Sequence, residues 1–496
     1  MMNKDTRFAR NIFSFRIKIC AVVTVSLVFL LSACQTRDIL LFSNHSTKIN
    51  RAGQRDISAA LGATQHSRLL ETYGREYHDA KLERMLEKIT NRLTAASQNP
   101  DLVYNVIILD SAHINAFSLP NGSIYVTSGM LELANDSSEV AAVLAHEMAH
   151  IMANHGLLRL QKEAELRQLD HVPVNILSRS RNSLQSAFKG KRQLAQFSRN
   201  QELQADSIGI EMLNRAGYDP FAAPRFLQSM EAYSAFRNTS GTTNTSLDFL
   251  ATHPTTPKRI LLAIKKASSM NAPHTENTDH DNFLKNIDGM IFGGNLREGY
   301  VRGNQFIHPQ LRITFSVPNN FVIDNSAHTV LASGPNKIAV RFDTVPRPAE
   351  ISASNYLKSG WIAGLDESSV QPITITQGLP AAHAYATNEH WQFDIVVILG
   401  KNNIFRFLTA APRHSPNFSA VAKSTTQSFH LLSSSQLSEL KPFKIRILRV
   451  KQGDSIASLS SEMRGTIYKE KLFRIINGLS PTQTLRTGTH VKIITE

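Results

Sequence analysis

The sequence predicts an α+β multidomain chain. A mainly helical domain with a small sheet covers residues 50–270, an α+β sandwich covers 300–435, and a small βααβ module covers 444–496. Three observations carry this. The 496 residues exceed what one hydrophobic core usually serves. Apolar residues in the first half recur at helical spacing, whereas short alternating runs take over after about residue 300. Between the two regimes, Asn271 to His280 is polar and has no apolar period, so 271–299 reads as a linker.

Residues 1–33 read as a leader. Arg7, Arg10, Arg16 and Lys18 precede an apolar run from Ile19 to Leu31. At about 1.5 Å per residue that run spans roughly 20 Å, short of the ~30 Å bilayer core, which suits a signal peptide better than a permanent span. Leu31-Ser32-Ala33-Cys34 resembles a bacterial lipoprotein processing box, which implies lipidation of Cys34 and a membrane attachment through that lipid. Gln35 after it is compatible with sorting to the periplasmic side of an outer membrane; a soluble periplasmic protein is the alternative. The other cysteine, Cys20, lies in the leader, so the mature chain has no disulfide and no thiolate ligand to offer.

Within 50–270, Leu82, Met85, Leu86, Ile89 and Leu93 mark an amphipathic helix. Ala116 to Leu119 and Ser123 to Thr127 read as strands around a Pro120-Asn121-Gly122 turn. Such a strand can hold an extended peptide by β-augmentation, or be an ordinary sheet member. Asp136 or Ser137 then caps a helix with Glu139 in its first turn and Val140, Val143, Leu144 and Met148 as its apolar stripe.

That helix ends in His146-Glu147-Met148-Ala149-His150, the H-E-x-x-H pattern. Residues four apart share a helix face, so two imidazoles can meet one metal ion while Glu147 reaches a water bound to it. A catalytic zinc wants three protein ligands and an open position. Glu202 fits as the third, on a predicted helix that also carries Asp206 one turn on. Asp206 can accept the outer N–H of a ligand histidine and fix its tautomer.

These residues resemble peptidase family M48. His146-Glu147-x-x-His150 is followed by Glu202-x-x-Ala205-Asp206-x-x-Gly209, preceded by Asn115 to Gly122 and Gly129-Met130-Leu131, and succeeded by Thr252-His253-Pro254 with Arg259-Ile260. The resemblance covers about residues 55–265 and suggests the bacterial periplasmic or lipoprotein branch. It implies a gluzincin, with one Zn2+ held by His146, His150 and Glu202. Gln204 departs from the pattern where family members often carry an acid.

The chemistry implied is amide hydrolysis by a metal-activated water, with Glu147 as the proton acceptor and later donor. His253 is either a second donor to the developing oxyanion or a latent fourth ligand that blocks the water position. Arg259 is a further stabiliser or a structural ion pair. His155, five residues after His150, fits no familiar metal spacing and reads as structural. Residues 154–197, long and basic, form either a lid or a plain helical insertion.

In the accessory region, strands are expected at 313–317, 338–343, 373–376, 383–387, 393–399 and 404–409, with a helical interruption at 355–363. It faintly resembles PsbP-like folds and suggests substrate positioning or a spacer. The final segment resembles a LysM module, from Val450 to Leu459, Ile476-Asn477-Gly478-Leu479 and Leu485 to Ile493, while Met463 to Lys471 departs from the usual spacing. That resemblance implies peptidoglycan binding; a packing role is the alternative.

The formal charge of +14 includes +4 from the leader (five basic residues and Asp5), leaving +10 on more than 460 residues. The densest basic stretch, Arg179 to Arg199, reads as a solvated face, with acidic lipid or lipopolysaccharide binding as the alternative, and no nucleic-acid module is recognised. Two function classes remain. One is an envelope zinc endopeptidase acting on protein or peptide substrates in quality control of outer-membrane or periplasmic proteins. The other is a lipoprotein scaffold or chaperone with latent peptidase activity.

Overall fold

The computed structural model describes residues 65–158, 199–239, 249–254, 256–270, 279–295, 297–326, 329–362 and 364–496. Residues 1–33, read as a leader, and Cys34 lie outside the described residues, as do residues 159–198, which include most of the basic stretch, and 271–278 of the polar stretch. No helix among the described residues is long and apolar enough to cross a membrane.

Helix α1 (Ala80–Ala96) starts where the Asp79 carboxylate accepts from the backbone N–H of Lys81 and Leu82, and it buries Leu82, Leu86, Ile89 and Leu93. They are four of the five positions of the stripe read from the sequence; the fifth, Met85, is half-buried against the same core. A three-stranded sheet follows, with β1 (Asn105–Leu109), β2 (Ala116–Ser118) and β3 (Ser123–Thr127) in the order β1-β3-β2. β2 is an edge, antiparallel to β3 with Ala116 opposite Val126. The turn between them needs Gly122: its φ is +92°, and a Cβ there would lie 2.4 Å from the Val103 carbonyl.

Helix α2 (Ser128–Leu133) leads into α3 (Ser137–Met152), which bears the H-E-x-x-H pattern. Of the two cap candidates it is Asp136 that caps α3, accepting from Glu139 N at 2.8 Å, while Glu139 Oε2 accepts from Asn135 N at 2.9 Å. Helix α4 (Arg199–Arg215) packs against α3. The contact point is Gly209, where a Cβ would stand 3.3 Å from the backbone of Ala145 and His146. A side chain there would push Glu202 and Asp206 away from the histidines.

Helices α5 (Ala222–Thr239), α6 (a single turn, Phe249–Thr252) and α7 (Pro257–Ser268) complete this part. α7 opens on a Thr256 cap with Pro257 in its first turn, where the absent N–H costs nothing. Inside the stretch read as linker, His280–Ile287 forms helix α8, because Phe283, Leu284 and Ile287 share a face that enters the core of the first domain.

The accessory region contains two antiparallel sheets. One has five strands, β4 (Gly294–Asn295), β5 (Gly299–Arg302), β6 (Gln305–His308), β7 (Ile313–Ser316) and, across the region, β15 (His430–Leu431). The other has seven, from β8 (Val322–Asn325), β9 (Thr329–Ser333) and β10 (Ala339–Pro346) to β11 (Gln371–Ile375), β12 (Leu379–Thr387), β13 (Trp391–Leu399) and β14 (Asn403–Pro412). Phe306 and Phe315 of the first meet Phe342 and Phe407 of the second, with Phe418 and Val421 of helix α9 (Phe418–Gln427) in the same core. The outer face of the larger sheet is covered by Ala353 and Leu357.

Residues 444–495 form β16 (Lys444–Arg449), α10 (Ile456–Ser461), α11 (Lys469–Ile476) and β17 (His490–Thr495), with the two strands paired antiparallel. This strand-helix-helix-strand order matches the sequence expectation. Its Leu472, Phe473 and Ile493 belong to the same apolar cluster as Leu82 and Leu86 of α1.

Candidate metal centre

Four side chains from three elements converge on one point: His146 and His150 from α3, Glu202 from α4, and His253 just after α6. All four are buried, and one donor atom of each lies within 4.8 Å of the others. The helix period explains the first pair, whose Nε2 atoms are 3.1 Å apart. Glu202 arrives through the close α3–α4 contact at Gly209. Its Oε2 is 3.5 Å from His146 Nε2 and its Oε1 3.4 Å from His150 Nε2. His253 Nδ1 lies 3.0 Å from Glu202 Oε1 and 3.3 Å from His146 Nε2. Its ring is held by stacking on Phe249 at 4.3 Å between centroids.

The donor set fits one zinc ion. Bonds of about 2.0–2.1 Å in a tetrahedron put ligand atoms roughly 3.3 Å apart; His146 to the other two imidazoles, and each imidazole to its nearer Glu202 oxygen, give 3.0 to 3.5 Å, with all four donor atoms within 4.8 Å of one another. Three imidazole nitrogens and a carboxylate oxygen also suit zinc by ligand type. Imidazole nitrogens gathered this tightly and aimed at a common point repel one another unless a proton or a cation lies between them.

The surrounding charges are arranged in layers. Asp206 Oδ1 faces His146 Nδ1 at 3.0 Å, the position expected for a group that fixes the tautomer. Arg259, itself buried, grips Asp206 through Nε at 2.6 Å and Nη2 at 2.8 Å, and reaches Glu202 Oε2 through Nη1 at 2.6 Å. The Thr256 cap on Arg259 N sets where that guanidinium starts. Burial alone would raise the Asp206 and Glu202 carboxyls. For Asp206 the hydrogen bonds from Arg259 outweigh it, and for Glu202 the His253 charge and the three imidazole hydrogen bonds do, so both are held below the carboxylate range. Burial works against the His146 imidazolium as well, yet hydrogen bonds to Asp206 and Glu202 lift it to about 9. Burial pushes His150 the other way, well below its ordinary value, which favours the neutral imidazole that ligation requires.

Glu147 lies beside the cluster on α3, fully buried. The hydroxyl of Ser118, on the edge strand β2, donates to its Oε2 at 2.9 Å. Its Oε1 has no hydrogen-bond partner and sits 3.6 Å from His253 Nε2.

The sequence-predicted residues Glu147, His146, His150, Glu202, Asp206 and His253 are therefore brought together, whereas Cys34 lies outside the described residues. Sequence reasoning missed Ser118 as the partner of Glu147, Phe249 as the prop of His253, and the contact of His155 with His150. Arg259, left open between two roles, is a buried ion-pair partner of Asp206 and Glu202.

Residues 78–266 match the model of peptidase family M48. The beta-barrel assembly-enhancing protease of Yersinia pestis is 28% identical over 246 residues, 46% of this chain and 49% of that protein. The mitochondrial metalloendopeptidase OMA1 of Schizosaccharomyces pombe is 28% identical over 209 residues, 41% and 59% respectively. The Escherichia coli beta-barrel assembly-enhancing protease is 25% identical over 202 residues, 39% and 40%. The matched stretches thus span about half the length of these curated relatives. A Synechocystis PsbP solution structure aligns with 26% of this chain at a TM-score of 0.21, too slight a likeness to assign any part of the chain a fold family. The ligand geometry and the family match coincide on the same residues: 78–266 are a peptidase family M48 domain, of the zinc metallopeptidase kind.

Proposed function

We propose that this protein is a zinc-dependent endopeptidase of the bacterial cell envelope, hydrolysing peptide bonds in misfolded or misassembled outer-membrane or periplasmic proteins. The observation that carries the chemistry is the convergence of His146, His150 and Glu202 on one point with the orphaned Glu147 Oε1 beside it. The envelope setting rests on the leader pattern ending in Cys34 and on the kind of relatives found.

When bound, zinc acidifies its water and polarises the scissile carbonyl. Glu147 accepts the proton at Oε1, with Ser118 holding the other oxygen so that the acid cannot rotate away, and then returns it to the leaving amine. Asp206 keeps the His146 proton on Nδ1, so that Nε2 presents its lone pair. β2, the sheet edge that carries Ser118, is the strand along which an extended substrate would lie.

His253 stands at fourth-ligand distance from His146 and Glu202, which favours the latent-ligand reading over the oxyanion donor. Water can take its position only after His253 withdraws. This gives the second reading, a latent peptidase that otherwise binds its clients or, through residues 444–496, peptidoglycan.

The test compares Glu147→Gln with wild type on an unfolded protein substrate, with zinc content measured in both. Retained zinc and cleavage reduced at least ~100-fold are expected for a lost general base. Equal cleavage by both would remove Glu147 from the mechanism.

A further inference from the structure

The two metal-facing histidines of α3 are oriented by different means. His146 turns its outer nitrogen to a carboxylate, Asp206. His150 turns its outer nitrogen to another imidazole: His150 Nδ1 and His155 Nδ1 are 3.1 Å apart, and His155 Nε2 lies 3.2 Å from Gln204 Oε1. The contact depends on how α3 ends. Asn154 takes a left-handed backbone conformation, φ +55°, which ends the helix and folds the next residue back beneath His150. Gln204 comes from α4, two residues after Glu202, so both metal-bearing helices contribute to the chain of contacts.

Proton bookkeeping leaves one arrangement. For His150 to offer a lone pair at Nε2, its proton must be on Nδ1, donating to His155. His155 Nδ1 must then be the acceptor, so its own proton lies on Nε2 and needs an acceptor, which Gln204 Oε1 supplies. In the opposite arrangement the Gln204 amide group donates to His155 Nε2 and His155 donates from Nδ1. The His150 proton is then forced onto Nε2, between it and His146 Nε2 only 3.1 Å away, and the ligand position is lost.

We infer that His155 and Gln204 are positioning residues: a neutral relay, Gln204 to His155 to His150, that fixes the tautomer and ring orientation of His150. It rests on the proposed role of His150 as a metal ligand. The relay does for His150 what Asp206 does for His146, without adding a negative charge beside the metal. It also gives a physical reason for an amide at 204: an uncharged oxygen acceptor is sufficient, and a carboxylate would do the same job while changing the charge of the site.

The zinc-loaded full chain tests this with two readouts independent of proteolysis. The first is zinc affinity by chelator competition. His155→Ala should weaken binding roughly 10- to 100-fold, and Gln204→Met, which keeps the bulk but cannot accept, roughly 3- to 10-fold. Gln204→Glu, which restores an acceptor, should bind as wild type or tighter. Gln204 is exposed, so its variants are expected to fold. The second readout is the nitrogen NMR signature of the histidines, which should place the His155 proton on Nε2 in wild type. Wild-type affinity in both His155→Ala and Gln204→Met, or a His155 proton on Nδ1, overturns the relay alone. Absence of stoichiometric zinc in the wild-type protein overturns the metal-ligand reading, and the relay with it.

Discussion

The two ends of helix α3 each bury a cluster of charged groups, and they differ in one respect that separates structure from chemistry. At the N-terminal end Asp136 and Glu139 are met by Arg225, which also pairs with Asp219. Lys492, fully buried on β17, donates to the carbonyls of Glu132, Leu133 and Ala134 at 2.8–3.1 Å, closing the end of α2. The positive charges here come from the chain itself: Arg225 of α5 pairs with the acids, and Lys492 of the C-terminal module binds the carbonyls beside them. At the C-terminal end the imidazoles crowd one another and Glu147 Oε1 has no hydrogen bond. Both ends bury acids and pair them with an arginine, Arg225 at one and Arg259 at the other. Glu132 Oε1 and Asn135 Oδ1 at the N-terminal end lack a hydrogen bond too, so what marks the functional end is the convergence of three imidazoles and a carboxylate on one point.

The strongest way to break the comparison is to remove the cation that completes the structural end. Arg225→Met leaves Asp136, Glu139 and Asp219 facing one another with little water to share. Breaking a buried ion pair costs 3–5 kcal/mol, and the guanidinium is 39% exposed, so a loss of about 3 kcal/mol is expected. Denaturant unfolding would read it. Zinc affinity should change far less, because the metal cluster lies at the other end of α3; a variant of normal stability would mean that this cluster contributes little.

Metal removal acts at the functional end instead. If zinc completes that cluster, stripping it with a chelator should lower the melting temperature, and zinc at about 100 times its Kd should restore roughly 2.7 kcal/mol. The same increment should appear in Arg225→Met, since the two ends are independent. A chelator without effect on melting would argue against a bound ion.

How much of this was legible in the sequence follows from the range of each interaction. The candidate ligands on α3 and α4 were readable because helix period places His146 with His150, and Glu202 with Asp206. The Asp136 cap was readable for the same local reason. Arg225 and Lys492 were not, since they reach the start of α3 from 89 and 358 positions away, and nothing local marks a lysine destined for complete burial. The contact of His155 with His150 was not legible, because a left-handed Asn154 folds the chain back after the end of α3. The strands between 294 and 308 were missed because they are short, Gly-rich hairpins. Gly294, Gly299 and Gly303 all adopt positive φ, and that composition reads as linker.

The smallest expected effect is also the most specific to the structural end. Burial raises the Glu132 carboxyl to about 8, partly offset by a hydrogen bond from Gly293, and raises Glu139 to about 7. Burial also lowers Lys492 to about 7, against the pull of Glu139 and Glu132. The signs oppose. A raised carboxyl gives stability that is complete below the unfolded value near 4.5 and is lost as pH climbs through the folded value, because the native chain holds a proton the unfolded chain has released. The lowered lysine gives stability that is complete above 10.5 and is lost as pH falls through about 7. Two acids against one base leave a net decline as pH rises from 5 to 8. Glu132→Gln removes one of the declining contributions, so the variant should gain on wild type across that interval, Lys492 being common to both proteins and cancelling from the difference. Melting curves of both proteins at pH 5 and pH 8 decide it, and a constant difference between them would mean that Glu132 is ionised throughout.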